Sequence, residues 1–536
     1  MKVTIPIIFF TMLIAIGCDK KQSQEMNQTP SPKKTSEKHR PAFHFTPPTK
    51  WMNDPNGMVF YQGTYHLFYQ HFPDSTVWGP MHWGHATSKD LVNWAHQPIA
   101  LYPDSLGYIF SGSAVVDWNN SSGLGTADNP PLVAFFTYHE PIGAENGSDT
   151  FQTQGIAYST DAGDTWIKYS ENPVIDNPGI RDFRDPNVIW HQETEKWILL
   201  LAAQNRIMFY QSDNLIDWEF ASEFGANSGS HGGVWECPDL FALPHPENPD
   251  EKVWVLLVSI NPGGPNGGSV TQYFLGDFDG KTFTNQFPEE KTLWLDYGTD
   301  NYAGLTWSDI PKEDGRRIFI GWMSNWDYAN VVPTESWRSA MTIPRKLELK
   351  SGKEHILLTN EPVKELEQLR GASADIESGI LEGSSIIQTD NPLCELNFQV
   401  DLKESTAKII GIKLSNEQSE QIIAAYDVEK QSYFIDRTQS GDYSGDHSGD
   451  HSGDHSFSDK FSGVHTAPRL VDDNIIEIQV LVDVASIEFF ADGGRTVLTD
   501  IFFPTEVFNK IEIFADGGSA KIIKGKSYVL SPSTIQ

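Results

Sequence analysis

Between Pro41 and about Arg345 the chain alternates apolar and polar residues with period two, in short runs such as "MVFYQGTYHLFYQ" and "KVWVLLVSI". That period sends successive side chains to opposite faces of a strand. Clusters of Gly, Pro, Asn and Asp interrupt the runs, and no long amphipathic helix stands out, so this region is expected to be all-β. A weak repeat runs through it: "ATSKDLVNWAHQP", "AYSTDAGDTWIKYS", "YQSDNLIDWEFAS" and "GDFDGKTFTN" each place a Ser/Asp turn after a strand and an aromatic at the start of the next. The aromatics, Trp94, Trp166, Trp218 and Phe283, are 72, 52 and 65 residues apart. One four-stranded blade per unit fits these spacings, which predicts a β-propeller over 41–346. A β-sandwich or a β-helix would also give alternating strands, although a β-helix repeats at a shorter period.

From 347 to 371 the sequence becomes charged and less periodic and reads as a linker. Strands return over 372–536, in "LCELNFQVDL", "NIIEIQVLVDVASIEFFADGG" and "KIEIFADGG". Closely spaced antiparallel strands predict a β-sandwich. Inside it, residues 440–459 hold the tetrapeptide repeat "SGDYSGDHSGDHSGDHSFSD", which has no apolar side to bury and reads as an expanded loop. Its Asp446, His447, Asp450, His451, Asp454 and His455 are possible metal ligands. A solvated low-complexity loop is the preferred reading, and no metal or cofactor is expected.

At the other end, "VTIPIIFFTMLIAIG" behind Lys2 is an apolar run too short for a comfortable membrane span. It ends at Gly17-Cys18 and resembles a bacterial lipobox. Residues 1–17 would then be a signal peptide, Cys18 the lipidated residue and 18–40 a flexible polar tether. The remaining cysteines, Cys237 and Cys394, fall in separate expected domains and should be free, buried thiols.

The length of 536 residues suits two or three domains, and the 16 Trp supply flat apolar surface of the kind sugar sites use, although most Trp simply pack cores. A net charge of −33 argues against nucleic acid or an anionic membrane surface as partner, and leaves a neutral substrate unhindered. Membrane contact is expected only through the lipid anchor.

Three acids lie outside the charged surface runs: Asp54 in "WMNDPNG", Asp185 in "FRDPNV" and Glu236 in "WECPDL". The first stretch is turn chemistry and reads as a tight turn that holds Asp54. In a propeller, residues at the start of each innermost strand face the central funnel, so acids from three blades can converge.

"WMNDPNG", "FSGS" (Phe110–Ser113), "RDP" (Arg184–Pro186) and "EC" (Glu236, Cys237), in that order, with "GWMSNWDY", "WRSAMTIPR" and "VDVASIEFFADGG", resemble glycoside hydrolase family 32, the invertases, inulinases and levanases. The resemblance covers nearly everything from Arg40 onward. It implies a five-bladed β-propeller followed by a C-terminal β-sandwich, and retaining hydrolysis of β-fructofuranosides. Asp54 resembles the nucleophile, Glu236 the general acid and base, and Asp185 the transition-state stabiliser. A retaining pair of carboxyls stands about 5–5.5 Å apart. Arg184 is expected to hold Asp185 ionised, and Cys237 to help tune Glu236. Asn53, Gln70, Trp78, Phe110, Ser111 and Trp322 resemble sugar-pocket residues, Asn53 and Gln70 through their amides and the rings as walls. Asp300 and Tyr302 resemble positions near the rim. The stretch "SNWDYANVVPTESWRSAMTIPR" looks closer to bacterial levanases and exo-inulinases than to intracellular sucrose-phosphate hydrolases, a resemblance that implies exo-acting release of terminal fructose from levan or inulin and cleavage of sucrose. Invertase and fructosyltransferase are the alternatives. A non-catalytic fructan-binding lipoprotein would lack a carboxylate, and none is missing.

Overall fold

The computed structural model describes residues 37–389, 391–441 and 457–536. Cys18, the signal peptide and most of the tether lie outside the described residues, as does the repeat from 442 to 456. Five antiparallel sheets follow one another along the chain, spanning 50–101, 108–168, 183–224, 234–294 and 302–362. Each is a blade whose first strand is innermost: Lys50–Tyr61, Tyr108–Val116, Phe183–His191, Val234–Pro244 and Tyr302–Thr306. The ring closes where Trp337–Arg338, inserted from blade five, pairs in parallel with Lys50 and Trp51. Apolar side chains from facing sheets fill the space between neighbouring blades, as Val59, Phe68 and Trp83 of blade one do against Ile109 and Phe136 of blade two.

The aromatic repeat has a structural basis. Ser88, Ser159 and Ser212 each accept a backbone N–H in the turn with the side-chain oxygen, from Leu91, Gly163 and Leu215 at 2.8, 2.9 and 2.9 Å. Trp94, Trp166 and Trp218 then donate their indole N–H to the carbonyl three residues earlier, each at 3.2 Å. Serine turn and returning indole lock the third strand of a blade to its fourth.

Residues 347–371 do not form a linker. Arg345–Ser351 and Ile356–Pro362 are the outer strands of blade five, and Lys364–Leu369 is a short 3₁₀ turn. The charge misleads because an outer strand faces solvent on one side: Leu347 and Leu349 point inward while Lys346, Glu348 and Lys350 alternate outward. The propeller therefore runs to Pro362.

The C-terminal domain is a sandwich whose two sheets share long strands. Lys510–Leu530 pairs with Ile409–Ser415 through its first half and with Cys394–Asp401 through its second. Gly379–Thr389 follows the same bend. The corner needs backbone that side-chain-bearing residues resist, and Gly383 (φ 73°) and Gly517 (φ 72°) supply it. Cys394 is a free thiol in the sandwich core, as expected.

Charged residues, fully buried, join the two domains. Arg345 of blade five donates to Asp296 at 2.9 Å, to Thr499 at 2.6 Å and to Glu488 of the sandwich. His44 lies between Asp483 and Glu488, at 2.7 and 2.8 Å. Nearby, Asp300 is not at the pocket rim: it is fully buried and accepts from Arg437 of the sandwich at 2.7 Å and from Tyr328 at 2.6 Å.

Candidate active site

"WMNDPNG" does not form a tight turn. It lies within the twelve-residue strand Lys50–Tyr61, which slips register between Asn53 and Pro55 and again between Asn56 and Val59. Its turn-forming residues make bulges instead. Gly57 takes φ 53°, and a Cβ there would stand 2.6 Å from Trp83 and 2.7 Å from Phe68. The same device recurs in every innermost strand. The others slip between Ile109 and Gly112, opposite Leu200 and Ala202, between Glu236 and Asp239, and between Tyr302 and Leu305. Asp185, Cys237 and Ala303 take positive φ at these points, 63°, 45° and 53°. A bulge re-aims a side chain that regular alternation would direct elsewhere. Pro55, Pro186 and Pro238 sit in three of the bulges. Proline lacks the N–H a ladder needs, and at these positions the innermost strand is paired on one side, so the bulge can hold it.

Cys237 joins two of the acids. Its backbone N–H donates to Asp185 Oδ2 at 3.0 Å, and its sulfur lies 3.6 Å from that atom and 3.7 Å from Asp54 Oδ2. Ser111 donates to Asp54 Oδ2 at 2.7 Å, while Asp54 Oδ1 is buried with no protein donor. Thr137 donates to Gln154 at 2.6 Å and accepts from the Asp185 backbone N–H at 3.0 Å, which fixes the bulge at Asp185. Glu236 accepts from Arg184 Nη2 at 2.9 Å through one oxygen and from the Tyr302 hydroxyl through the other.

The electrostatics follow from burial. Desolvation pushes the Asp54 carboxyl up, the charge of Glu236 adds to this, and the Ser111 hydrogen bond opposes it. Burial also raises Asp185, to about 7, against the pull of Arg184 and with the charges of Glu236 and Asp54 reinforcing it. Arg184 does pull Asp185 toward the ionised form, as expected, but burial outweighs it. The guanidinium is turned toward Asp182 at 2.6 Å and Glu236, and comes no nearer than 4.0 Å to Asp185. Three carboxyls and one guanidinium in a buried site would carry two uncompensated charges if all the acids ionised, so the cluster is built to retain a proton. Burial raises the Cys237 thiol well above its usual range, which keeps it protonated and able to donate.

Ser111→Ala is expected to raise the Asp54 pKa further, because the hydrogen bond it removes favours the ionised form. If Asp54 reacts as a carboxylate, the acid limb of the kcat/KM profile then moves to higher pH. The profile measured on a fructoside checks this, and an unmoved limb refutes it.

The other expected pocket residues divide. Asn53 is buried with its side-chain oxygen accepting from the Trp51 indole at 2.7 Å, and its side chain also hydrogen-bonds the Asp54 carboxyl, favouring its ionised form. Gln70, also buried, donates to Asn56 at 2.7 Å. Phe110 stacks on His139 at 4.2 Å, and Trp78 meets Phe110 edge-on at 6.0 Å with its own ring 39% exposed. Trp322 offers no ring face. It has 0% exposure and packs among Trp51, Trp326 and Tyr302, because the second strand of a blade lies behind the innermost one. Sequence reasoning left Tyr302 without a role and did not single out Asp182, Thr137 or His139. A Tyr at the start of the fifth innermost strand, in register with the acids of the others, was the available signal for Tyr302.

A five-bladed propeller with buried carboxylates converging at one end of its central channel defines a glycosidase-type pocket. The model for the glycosyl hydrolases family 32 N-terminal domain matches residues 44–361, and that for the family 32 C terminal matches 365–528. The chain is 46% identical over 499 residues to a levanase of Bacillus subtilis, covering 92% of this chain and 70% of that protein. It is 39% identical over 518 residues to an extracellular exo-inulinase of Aspergillus niger, covering 91% and 93% of the two chains. The crystal structure of an exo-inulinase from Aspergillus awamori superposes with a TM-score of 0.84 at 35% identity, over 93% of this chain and 99% of that one. The chain belongs to glycoside hydrolase family 32.

Proposed function

We propose that the protein is an exo-acting β-fructofuranosidase that releases terminal fructose from levan or inulin and also cleaves sucrose, with retention through a covalent fructosyl-enzyme. One observation carries this reading: Asp54 and Asp185 meet at Cys237, and the neighbouring Glu236 is held by Arg184 and Tyr302, all at the same end of the innermost strands. Asp54 attacks C2 of fructose while Glu236 gives its proton to the leaving glycosidic oxygen. Glu236 then takes a proton from water, whose oxygen displaces Asp54 from C2. The unpartnered Oδ1 of Asp54 suits attack, since no protein hydrogen bond need break first. Asp185 accepts hydroxyl hydrogens of the ring, Asn53 and Gln70 offer amides, and Trp78 and Phe110 form the wall. No step needs a metal or cofactor. The names of the relatives, levanase and extracellular exo-inulinase, support a fructan substrate and export. Attachment to a bacterial membrane through Cys18 belongs to the same proposal, with palmitate labelling lost in Cys18→Ser as its test.

Incubation with levan, inulin and sucrose, with products followed by chromatography and the first-formed anomer by NMR, tests the reading. Free fructose from a fructan, appearing first as the β-anomer, is the expected result. No fructose from any of the three refutes the activity, and the α-anomer first refutes retention. Sucrose cleaved while both polymers persist favours invertase, and longer oligosaccharides accumulating at high sucrose favour fructosyl transfer.

A further inference from the structure

The acids occupy the first halves of the innermost strands, so the pocket opens at the end where the chain enters those strands. In an antiparallel blade the turn between second and third strands lies at that same end. Two such turns, 73–81 in blade one and 140–151 in blade two, lie there with 102–107, the connection from the last strand of blade one to the first of blade two. They carry exposed Val77, Trp78, Tyr102, Leu106 and Ile142, with Tyr102 55% and Ile142 67% exposed. Among the described residues, no large apolar side chain is comparably exposed on the pocket-side loops of the other three blades. Singly exposed apolar residues need no explanation, whereas five on three loops at the pocket end of two neighbouring blades do.

The shelf is braced rather than loose. Lys168 reaches across from blade two to Asp104, and Tyr138 donates to the same carboxylate at 3.2 Å. Tyr102 rests edge-on against His82 at 5.4 Å. Glu140 accepts the N–H of Ile142 at 2.9 Å, fixing the short helix that presents it. Its inner border is Trp78 against Phe110, whose neighbour Ser111 holds Asp54.

We infer that this shelf of blades one and two is the binding site for the leaving part of a fructan chain, beyond the fructose that reacts. The inference rests on the proposed activity. A neutral, flexible oligosaccharide suits it chemically: apolar ring faces meet Tyr102, Leu106 and Ile142, and the shelf adds no cation that would select a phosphate beyond Lys168, which Asp104 already occupies. Sucrose, whose leaving unit is a single glucose, would reach Trp78 and little further.

The test compares wild type, Tyr102→Ala and Ile142→Ser on long-chain fructan and on sucrose. The expected result is a fall of roughly tenfold in the ratio of the two kcat/KM values, through KM on the polymer, the scale of losing one apolar contact in a subsite. Trp118→Ala, exposed at the far end of the propeller, serves as the control and should keep the wild-type ratio. An unchanged ratio in both shelf variants, or the same change in the control, overturns the inference while leaving the activity intact. A wild type that releases no fructose from any fructan overturns the proposed activity instead.

Discussion

Asp54→Ala is expected to lower kcat/KM on fructans by about four to six orders of magnitude, the scale seen when a residue that forms the covalent bond is removed. The loss should fall on kcat, because the sugar contacts proposed for Asn53, Gln70 and the ring wall are left in place. Isothermal titration of the variant should therefore still detect binding. Glu236→Ala should fail differently. With the acid gone but the nucleophile present, azide can take the place of activated water, and turnover of a substrate with a good leaving group should rise with azide concentration as fructosyl azide forms. Azide should do nothing for Asp54→Ala. Wild-type turnover in either variant would remove that residue from the mechanism.

Arg345→Met should destabilise the fold by about 3–5 kcal/mol, since it strands two buried carboxylates, Asp296 and Glu488. Equilibrium denaturation measures this, and a loss under 1 kcal/mol would refute it. The same network sets a pH window. Burial alone would favour neutral His44, but its hydrogen bonds to Asp483 and Glu488 outweigh that and raise it to about 9, from 6.5 unfolded. A raised histidine contributes fully below its unfolded pKa and loses that contribution as pH climbs through the folded one. The two partners are lowered, so their contribution is present above the ordinary carboxylate range and disappears in acid. The melting temperature should thus decline as pH passes from about 6.5 to 9, and His44→Gln, less stable at neutral pH, should flatten that decline.

How much of this was legible in the sequence depends on what each residue answers to. The blades could be read because strand alternation and the Ser-to-Trp turn are local, and each repeats with its own hydrogen bonds. The acids could be read because each sits in a short motif that fixes its own bulge. Three things were not legible, and two of them depend on distant partners. The direction of the Arg184 side chain depends on Glu236, fifty-two residues away. Asp300 looked like a rim residue until Arg437, in another domain, claimed it. The outer strands of blade five looked like a linker because exposure, not disorder, makes them charged. Pro and Asn-Gly were read as a tight turn for a related reason, since the residues that turn a chain are also those that kink a strand.

The prolines that follow Asp54 and Asp185 have a wider meaning for how such an enzyme can diversify. The three acids are built into kinked backbone at the hub, while the residues at the mouth belong to separate connecting segments. Under the proposed reading, mutation at the mouth changes which polymer is accepted without disturbing bond cleavage. Chemistry and selectivity are inherited as separable parts.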